Sequence, residues 1–100
     1  MSDLQPKFQL GRVVATPGAI QALQDAGQEP DHFLILHAAG SWGDLCPEDR
    51  RRNDDAVAHE DDPDRRDRVL SAYVTRGGTK LWVITEHDRC VTTILLPDEY

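Results

Sequence analysis

The chain has 100 residues, and its 18 acidic and 11 basic side chains give a formal net charge of −7. A chain of this length forms one small domain with a modest hydrophobic core. The acidic balance argues against a general nucleic-acid coat, because binding phosphates needs a dense basic patch. No stretch approaches the roughly 18 apolar residues of a membrane span, and the N-terminus lacks the basic-then-apolar pattern of a secretory leader. We therefore expect a cytoplasmic protein with no membrane contact.

The first half of the chain predicts one short strand and three helices. Residues 1–10 show no periodicity and predict a loose N-terminus in which Phe8 and Leu10 could still pack, and residues 11–15 predict a short strand. Thr16 as N-cap, Pro17 at the first helical position and Gly27 just past the end predict the first helix. The second helix is predicted over residues 30–39. The third begins at Cys46-Pro47 and runs to Ala58.

The second half predicts a charged loop followed by an antiparallel meander. Residues 60–68 are too charged to pack and contain a proline, so we expect a mobile loop. The runs 69–75, 80–86 and 91–96 are rich in β-branched and aromatic residues, with turns at Gly77-Gly78 and at residues 87–89. The prediction is a single α+β domain over residues 1–100. Two or three N-terminal helices pack on one face of a C-terminal antiparallel sheet of three or four strands.

The register of the first hairpin decides which side chains share a face of this sheet. A two-residue turn at Gly77-Gly78 pairs Tyr73 with Trp82. One face is then aliphatic and packs on the helices; it carries Leu70, Ala72, Val74, Leu81, Val83, Ile94 and Leu96. The other face is mixed and carries Ser71, Tyr73, Thr75, Lys80, Trp82, Ile84, Glu86, Thr93 and Leu95. The mixed face predicts a binding surface. Its alternatives are a Tyr73–Trp82 pair that only stabilises the hairpin, or a face covered by a second copy of the chain.

Three single residues are further candidates. His37, near the end of the second helix, has the chemistry of a general acid or base, or it caps the helix beside Trp42. Trp42 lies in the turn of residues 40–43, where it could line a ligand pocket. Asn53 lies on the inward stripe of the third helix; we expect it to orient a loop by hydrogen bonds, with a role in a site as the second interpretation.

The cysteines and glycines of the sequence give little reason to expect a metal or a cofactor. Cys46 and Cys90 are too few for a disulfide scaffold and are expected to be thiols in a reducing cytosol. Their spacing from the histidines matches no compact zinc pattern. The glycine pair at residues 77–78 precedes a strand rather than a helix, unlike a phosphate loop.

Several segments together resemble a family of small bacterial proteins of about this length that are labelled plasmid-related or hypothetical. These segments are L-G-R-V-V-A-T-P-G-A, G-S-W-G-D-L, E-D-R-R-R-N-D, L-S-A-Y, K-L-W-V-I-T-E and T-T-I-L-L-P-D-E-Y. The resemblance covers nearly the whole chain, and residues 58–68 depart from it. It implies a protein of a bacterial mobile element but no particular activity.

A looser resemblance concerns topology alone. Helices followed by an antiparallel meander are similar to the barnase/RelE-like ribonuclease toxins, whose active site lies on the open face of the sheet. This resemblance implies a metal-independent ribonuclease with candidate residues His37, Tyr73, Arg76, Lys80 and Thr93.

The function predicted from the sequence is a non-enzymatic interaction or regulatory protein that binds a protein partner or a second copy of itself. The charged loop of residues 60–68 is a second possible contact region, and nucleic acid is expected only under the ribonuclease alternative. A small-molecule or nucleotide sensor is the third alternative. The candidate binding residues are Ser71, Tyr73, Trp82, Ile84, Thr93, Trp42 and Asn53.

Overall fold

A computed structural model describes residues 5–100 and confirms the predicted α+β class. One strand and three helices precede three strands joined by hairpins. A short 3-10 turn, Pro97–Glu99, follows the last strand. In chain order the elements are β1 (Arg12–Ala15), α1 (Pro17–Ala26), α2 (Pro30–Ala38), α3 (Pro47–Ala58), β2 (Val69–Val74), β3 (Lys80–Thr85) and β4 (Val91–Leu95).

The helix boundaries follow from local signals in the sequence. The side chain of Thr16 accepts a hydrogen bond from the amide of Ala19, and Pro17 begins α1. Gly27 ends that helix in the left-handed conformation. Pro30 and Pro47 occupy the first positions of α2 and α3, where a missing amide hydrogen costs nothing. These predicted boundaries are confirmed to within one residue.

The sheet is mixed rather than purely antiparallel, which corrects the predicted arrangement. Its strand order is β1-β4-β3-β2, and β1 runs parallel to β4, with Arg12 opposite Val91. A parallel pair needs a long connection, and here all the remaining helices and strands lie between the two partners. The pairing therefore has no local signal in the sequence.

The predicted register of the first hairpin is wrong by one residue. Tyr73 lies opposite Leu81, and Ala72 lies opposite Trp82. The loop contains three residues instead of two: the amide of Gly78 donates to the carbonyl oxygen of Thr75, and Gly78 has a φ of 85°. A type I turn followed by a left-handed glycine produces this three-residue loop. The register of the second hairpin, with Ile84 opposite Thr93, is as predicted.

The register shift moves β2 residues to the opposite face of the sheet. Ser71 and Tyr73 point toward the helices, whereas Leu70, Ala72 and Val74 point away from them. We call the helix-covered side the inner face and the opposite side the outer face. The aliphatic inner core contains Ala19, Ala22, Leu23, Phe33, Leu34, Tyr73, Leu81, Val83 and Ile94.

A second apolar cluster joins α3 and the N-terminal segment to the end of the sheet. Phe8, Trp42, Ala56 and Val69 are its buried members. The amide of Lys7 donates to the carbonyl oxygen of Ala38, which places Phe8 beside α2. Part of the segment predicted to be loose therefore contributes a core residue, while residues 1–4 lie outside the described part of the chain.

The charged segment of residues 60–68 is attached to the sheet through arginine side chains. Arg89, itself buried, binds both carboxylate oxygens of Glu60 and the carbonyl oxygen of Asp67. Arg66 donates to the carbonyl oxygen of His87. These bonds connect the segment to the loop between β3 and β4. The predicted mobility of the segment stays a prediction.

Candidate binding surface on the outer face of the sheet

The outer face carries an apolar centre that none of the three α-helices covers. Helices α1 and α2 pack against the inner face, and α3 lies along β2. Alternation along the four strands assigns the outer residues. They are Arg12, Val14, Leu70, Ala72, Val74, Lys80, Trp82, Ile84, Val91, Thr93 and Leu95.

Trp82 lies near the middle of this surface and is half-buried. Ala72 and Leu95 are its cross-strand neighbours on β2 and β4, and both are buried. Val74 on β2 is 52% exposed and Val14 on β1 is 39% exposed. The surface is therefore apolar in a band across the sheet, and parts of that band face solvent.

The C-terminal segment lies over one part of the outer face. The Tyr100 ring packs edge-on against Trp82, with ring centroids 5.8 Å apart. The Tyr100 hydroxyl accepts a hydrogen bond from Arg68, whose guanidinium also lies 5.7 Å from the centre of the tyrosine ring. Ile84, between these groups on the sheet, is buried. Tyr100 itself is 71% exposed, so it forms a thin cover.

Glu99 attaches this segment to the start of α1. Its carboxylate accepts hydrogen bonds from the Thr16 hydroxyl and from the amides of Gly18 and Leu96. The bond from Thr16, followed by the bond from the Leu96 amide, lowers the pKa of Glu99 below its ordinary value. A carboxylate at a helix N-terminus also complements the helix dipole.

Cationic side chains surround the apolar band. Arg12, Arg68 and Lys80 belong to or adjoin the outer face, and all three are exposed. Their position contrasts with the net charge of −7 for the chain. An apolar centre with a charged rim is the usual arrangement of a protein interface.

The structure divides the predicted binding residues between different parts of the molecule. Trp82, Ile84 and Thr93 share the outer face, as predicted. Ser71 and Tyr73 do not join them, because the hairpin register places both on the inner face. The predicted Tyr73–Trp82 surface is therefore corrected to one centred on Trp82.

His37 is completely buried and uses both ring nitrogens inside the protein. Nδ1 is hydrogen-bonded to the Ser71 hydroxyl, and Nε2 lies 2.9 Å from the Thr85 hydroxyl. Thr85 is in turn bonded to Thr92, which donates to the carbonyl oxygen of Leu10. Burial, together with the nearby charge of Arg89, lowers the pKa of His37 to about 3. A neutral, enclosed imidazole of this kind holds the core together and cannot reach a substrate on the outer face.

The other proposed ribonuclease residues are also separated from one another. The Tyr73 hydroxyl donates a hydrogen bond to the carbonyl oxygen of Ser41, and burial raises the pKa of Tyr73 to about 12. Arg76 lies in the exposed hairpin loop, where its amide binds Gln28. Lys80 and Thr93 lie on the outer face, on the opposite side of the sheet from His37. The five residues do not form one site.

Trp42 and Asn53 have structural contacts. Trp42 is buried, stacks on Phe8 and donates its ring N–H to Asp54, which leaves little of its surface for a ligand. The Asn53 amide group donates to the carbonyl oxygen of Leu70 and accepts from the Leu70 amide. The Asn53 side chain therefore forms, at the edge of β2, the two backbone hydrogen bonds that a neighbouring strand would form.

Sequence reasoning missed Arg12, Arg68 and Tyr100 as parts of the outer surface. Strand alternation in the run Arg12-Val13-Val14 was a weak signal that Arg12 shares a face with Val14. Neither Arg68, in the charged segment, nor Tyr100, after the last strand, has a local pattern that indicates its position. Their contacts depend on the fold of the whole chain.

A charged cleft of about 470 Å³ lies on another side of the molecule, between the N-terminal segment and the charged segment. Lys7, Arg66, Glu60, Asp61 and Asp88 contribute to its lining. Its most buried charge, Arg89, is bound to Glu60 and to two carbonyl oxygens. These contacts satisfy most of the guanidinium donors, so the cleft is primarily a structural junction.

Residues 5–100 contain neither a membrane-spanning helix nor a cluster of metal ligands. No helix in that range is both long and apolar enough to pass through a bilayer. Within the same range, His, Cys, Asp and Glu form no group of three or more that could hold a metal ion. Comparison with known proteins finds no match among family models, curated proteins or solved structures. The resemblances noted from the sequence therefore stay predictions.

Proposed function

We propose that this protein is a non-enzymatic interaction protein that binds a protein partner through the outer face of its sheet. The observation that carries the proposal is the position of Trp82. It lies half-buried at the centre of a sheet face that none of the three α-helices covers. Tryptophan is among the residues most enriched at the energetic centres of protein interfaces.

The chemistry of the face indicates the kind of partner. The exposed side chains of Val14 and Val74, with the half-buried ring of Trp82, favour an apolar contact. Arg12, Arg68 and Lys80 at the rim favour acidic side chains around that contact. We therefore infer a partner segment that combines apolar and acidic residues. The resemblance to plasmid-related bacterial proteins suggests looking for it among the proteins of a mobile element.

The proposal is tested by affinity capture from the native host with three forms of the protein. The wild type is compared with Trp82→Ser and with Ile35→Ser, which changes a residue of similar apolarity that is exposed on α2. The lysate is treated with nuclease, so that proteins held through nucleic acid are removed. We expect a protein that is retained by the wild type and by Ile35→Ser but lost with Trp82→Ser. Equal retention by all three forms would contradict the proposal.

The purified partner then allows a quantitative measurement by calorimetry. Removing an interface anchor costs about 2 kcal/mol or more, which is roughly thirtyfold in Kd. Lys80→Glu is expected to weaken binding less than Trp82→Ser, and its effect is expected to shrink as salt concentration rises. A Trp82→Ser variant that binds as tightly as the wild type would exclude the outer face as the site.

A further inference from the structure

Within residues 5–100, other parts of the chain bind the backbone groups along most of the β2 edge of the sheet, whereas the β1 edge has no such cover. On the β2 edge, the outward-facing backbone groups belong to Leu70, Ala72 and Val74. Asn53 pairs with Leu70 through two side-chain hydrogen bonds. The amide of Ala72 donates to the carbonyl oxygen of Trp42, and its carbonyl oxygen accepts from the amide of Asp44. This edge is therefore closed at Leu70 and Ala72, and among residues 5–100 only Val74, beside the hairpin loop, keeps outward-facing groups without such a partner.

The fit at the β2 edge is close. Gly43 forms a parallel bridge with Ala72 at a φ of 78°. A Cβ atom on Gly43 would collide with the carbonyl oxygen of Ala72. The chain therefore uses a glycine, an asparagine and a loop to cover this edge, which is how natural proteins prevent sheets from extending.

The β1 edge has no such cover among residues 5–100. The amides of Arg12 and Thr16 donate to the carbonyl oxygens of Cys90 and Ile94 on β4. In a parallel ladder without a bulge, the amide of Val14 then also faces β4, and the backbone groups of Val13 and Ala15 face outward. Val13 is 43% exposed, on the opposite side of the strand from Val14. Apolar side chains thus flank an open row of backbone groups.

We propose that the β1 edge pairs antiparallel with the β1 edge of a second copy of this chain. Two-fold symmetry makes such a contact self-complementary. In the register that lets Val13 and Ala15 both form hydrogen bonds, Val13 pairs with Ala15 of the second copy. The two Val14 residues then lie opposite each other at the two-fold axis. The two four-stranded sheets then form one continuous sheet with β2 at each outer end.

The charge distribution favours a second copy as the occupant. Residues 11–28, which contain β1 and α1, include one arginine and one aspartate, so the charge of −7 lies entirely on the rest of the chain. Two identical acidic molecules repel each other least when they meet at such a neutral region. Ile20 of α1, 45% exposed, lines a shallow cavity together with Ala15 of β1 and adds an apolar side chain on the helix side of the same edge. The strand has only four residues, so we expect a weak, concentration-dependent dimer.

The first experiment is sedimentation velocity on the full chain under reducing conditions, which prevent crosslinking through the exposed Cys46 and Cys90. The concentrations should cover dissociation constants from about 1 μM to about 1 mM. We expect the mass to rise toward that of a dimer. A chain that stays monomeric over this range overturns the proposal and leaves the edge for a strand from another protein.

Two proline variants separate the edge from other contact surfaces. Val13→Pro removes an outward-facing amide in each copy and keeps the bonds to β4, because proline is tolerated on the open side of an edge strand. We expect the dimer to weaken by roughly ten- to a hundredfold. Val74→Pro makes the same change at an outward-facing position of β2 and is expected to leave dimerisation unchanged. Equal effects of the two variants would overturn the proposal.

Hydrogen exchange on the unmodified protein gives a second test that needs no variant. In the dimer, the amides of Val13 and Ala15 are expected to become protected as concentration rises, while that of Val14 is protected throughout. A dimer in which Val13 and Ala15 exchange at the monomer rate uses another surface, and the proposal is then wrong. The outcome is independent of the Trp82 proposal, because Trp82→Ser leaves the β1 edge intact.

Discussion

Both faces of this sheet carry polar side chains, but those of the inner face are bonded inside the protein and those of the outer face contact solvent. On the inner face, Ser71, Thr85 and Thr92 are buried, and their hydroxyls form a closed network around His37. On the outer face, Thr93 and Lys80 keep contact with solvent around Trp82. A buried polar group must find its partners inside the protein, whereas an exposed one remains available to another molecule. Polar residues of this sheet are therefore candidates for a binding role only where their hydrogen bonds are not already satisfied inside the protein.

The strongest test of this contrast is removal of His37. His37→Ala deletes a completely buried ring, removes one hydrogen-bond partner from each of the Ser71 and Thr85 hydroxyls and opens a cavity beside Phe8. We expect the free energy of unfolding to fall by about 3–5 kcal/mol. His32→Ala, at an exposed position of the same helix, is the control and should change stability by less than about 0.5 kcal/mol. Urea denaturation measures both, and equal effects would show that the network contributes little.

The same residue predicts a pH dependence of stability. The pKa of His37 is lowered from 6.5 to about 3 in the folded protein, so between these values the unfolded chain binds the additional proton. Stability is therefore expected to fall as pH decreases below about 6.5, with a slope approaching about 1.4 kcal/mol per pH unit. Urea titrations at pH 7 and pH 5.5 measure this slope. It should be absent from His37→Ala, and a slope that persists in that variant would assign it to other groups.

A matched pair of threonine substitutions compares the two faces directly. Thr85→Val removes a buried hydroxyl bonded to both His37 and Thr92, and we expect a loss of about 1–3 kcal/mol. Thr93→Val makes the same chemical change on the neighbouring strand of the outer face and should stay within about 0.5 kcal/mol of the wild type. Thermal unfolding followed by circular dichroism compares the two variants. Similar losses would indicate that the outer face is also sealed.

The smallest effect is expected from the aromatic cover of the outer face. Tyr100→Ala removes the contacts with Trp82 and Arg68, and we expect a loss of about 1 kcal/mol or less because the tyrosine is mostly exposed. The fluorescence of Trp82 should shift toward longer wavelength as its exposure increases. Tyr100→Phe keeps the ring and serves as the control. An unchanged spectrum in Tyr100→Ala would mean that the tyrosine does not cover Trp82 in solution.

Local features of the sequence determined the helices and most of the strands. Thr16, Pro17 and Gly27 define α1 because a cap, a first-turn proline and a left-handed glycine act through hydrogen bonds and backbone angles within a few residues. The register of the hairpin between β3 and β4 was also predicted correctly, and this placed Trp82, Ile84 and Thr93 together on the outer face.

Tertiary structure alone decided the rest of the surface and the edges. The choice between a two- and a three-residue loop at Gly77-Gly78 shifts the register by one and moves Tyr73 to the other face, although either loop suits the local sequence. The parallel pairing of β1 with β4 and the pairing of Asn53 with Leu70 join residues that are distant in the chain. Such contacts depend on how the helices and strands pack together, and this packing leaves no periodic signal along the sequence.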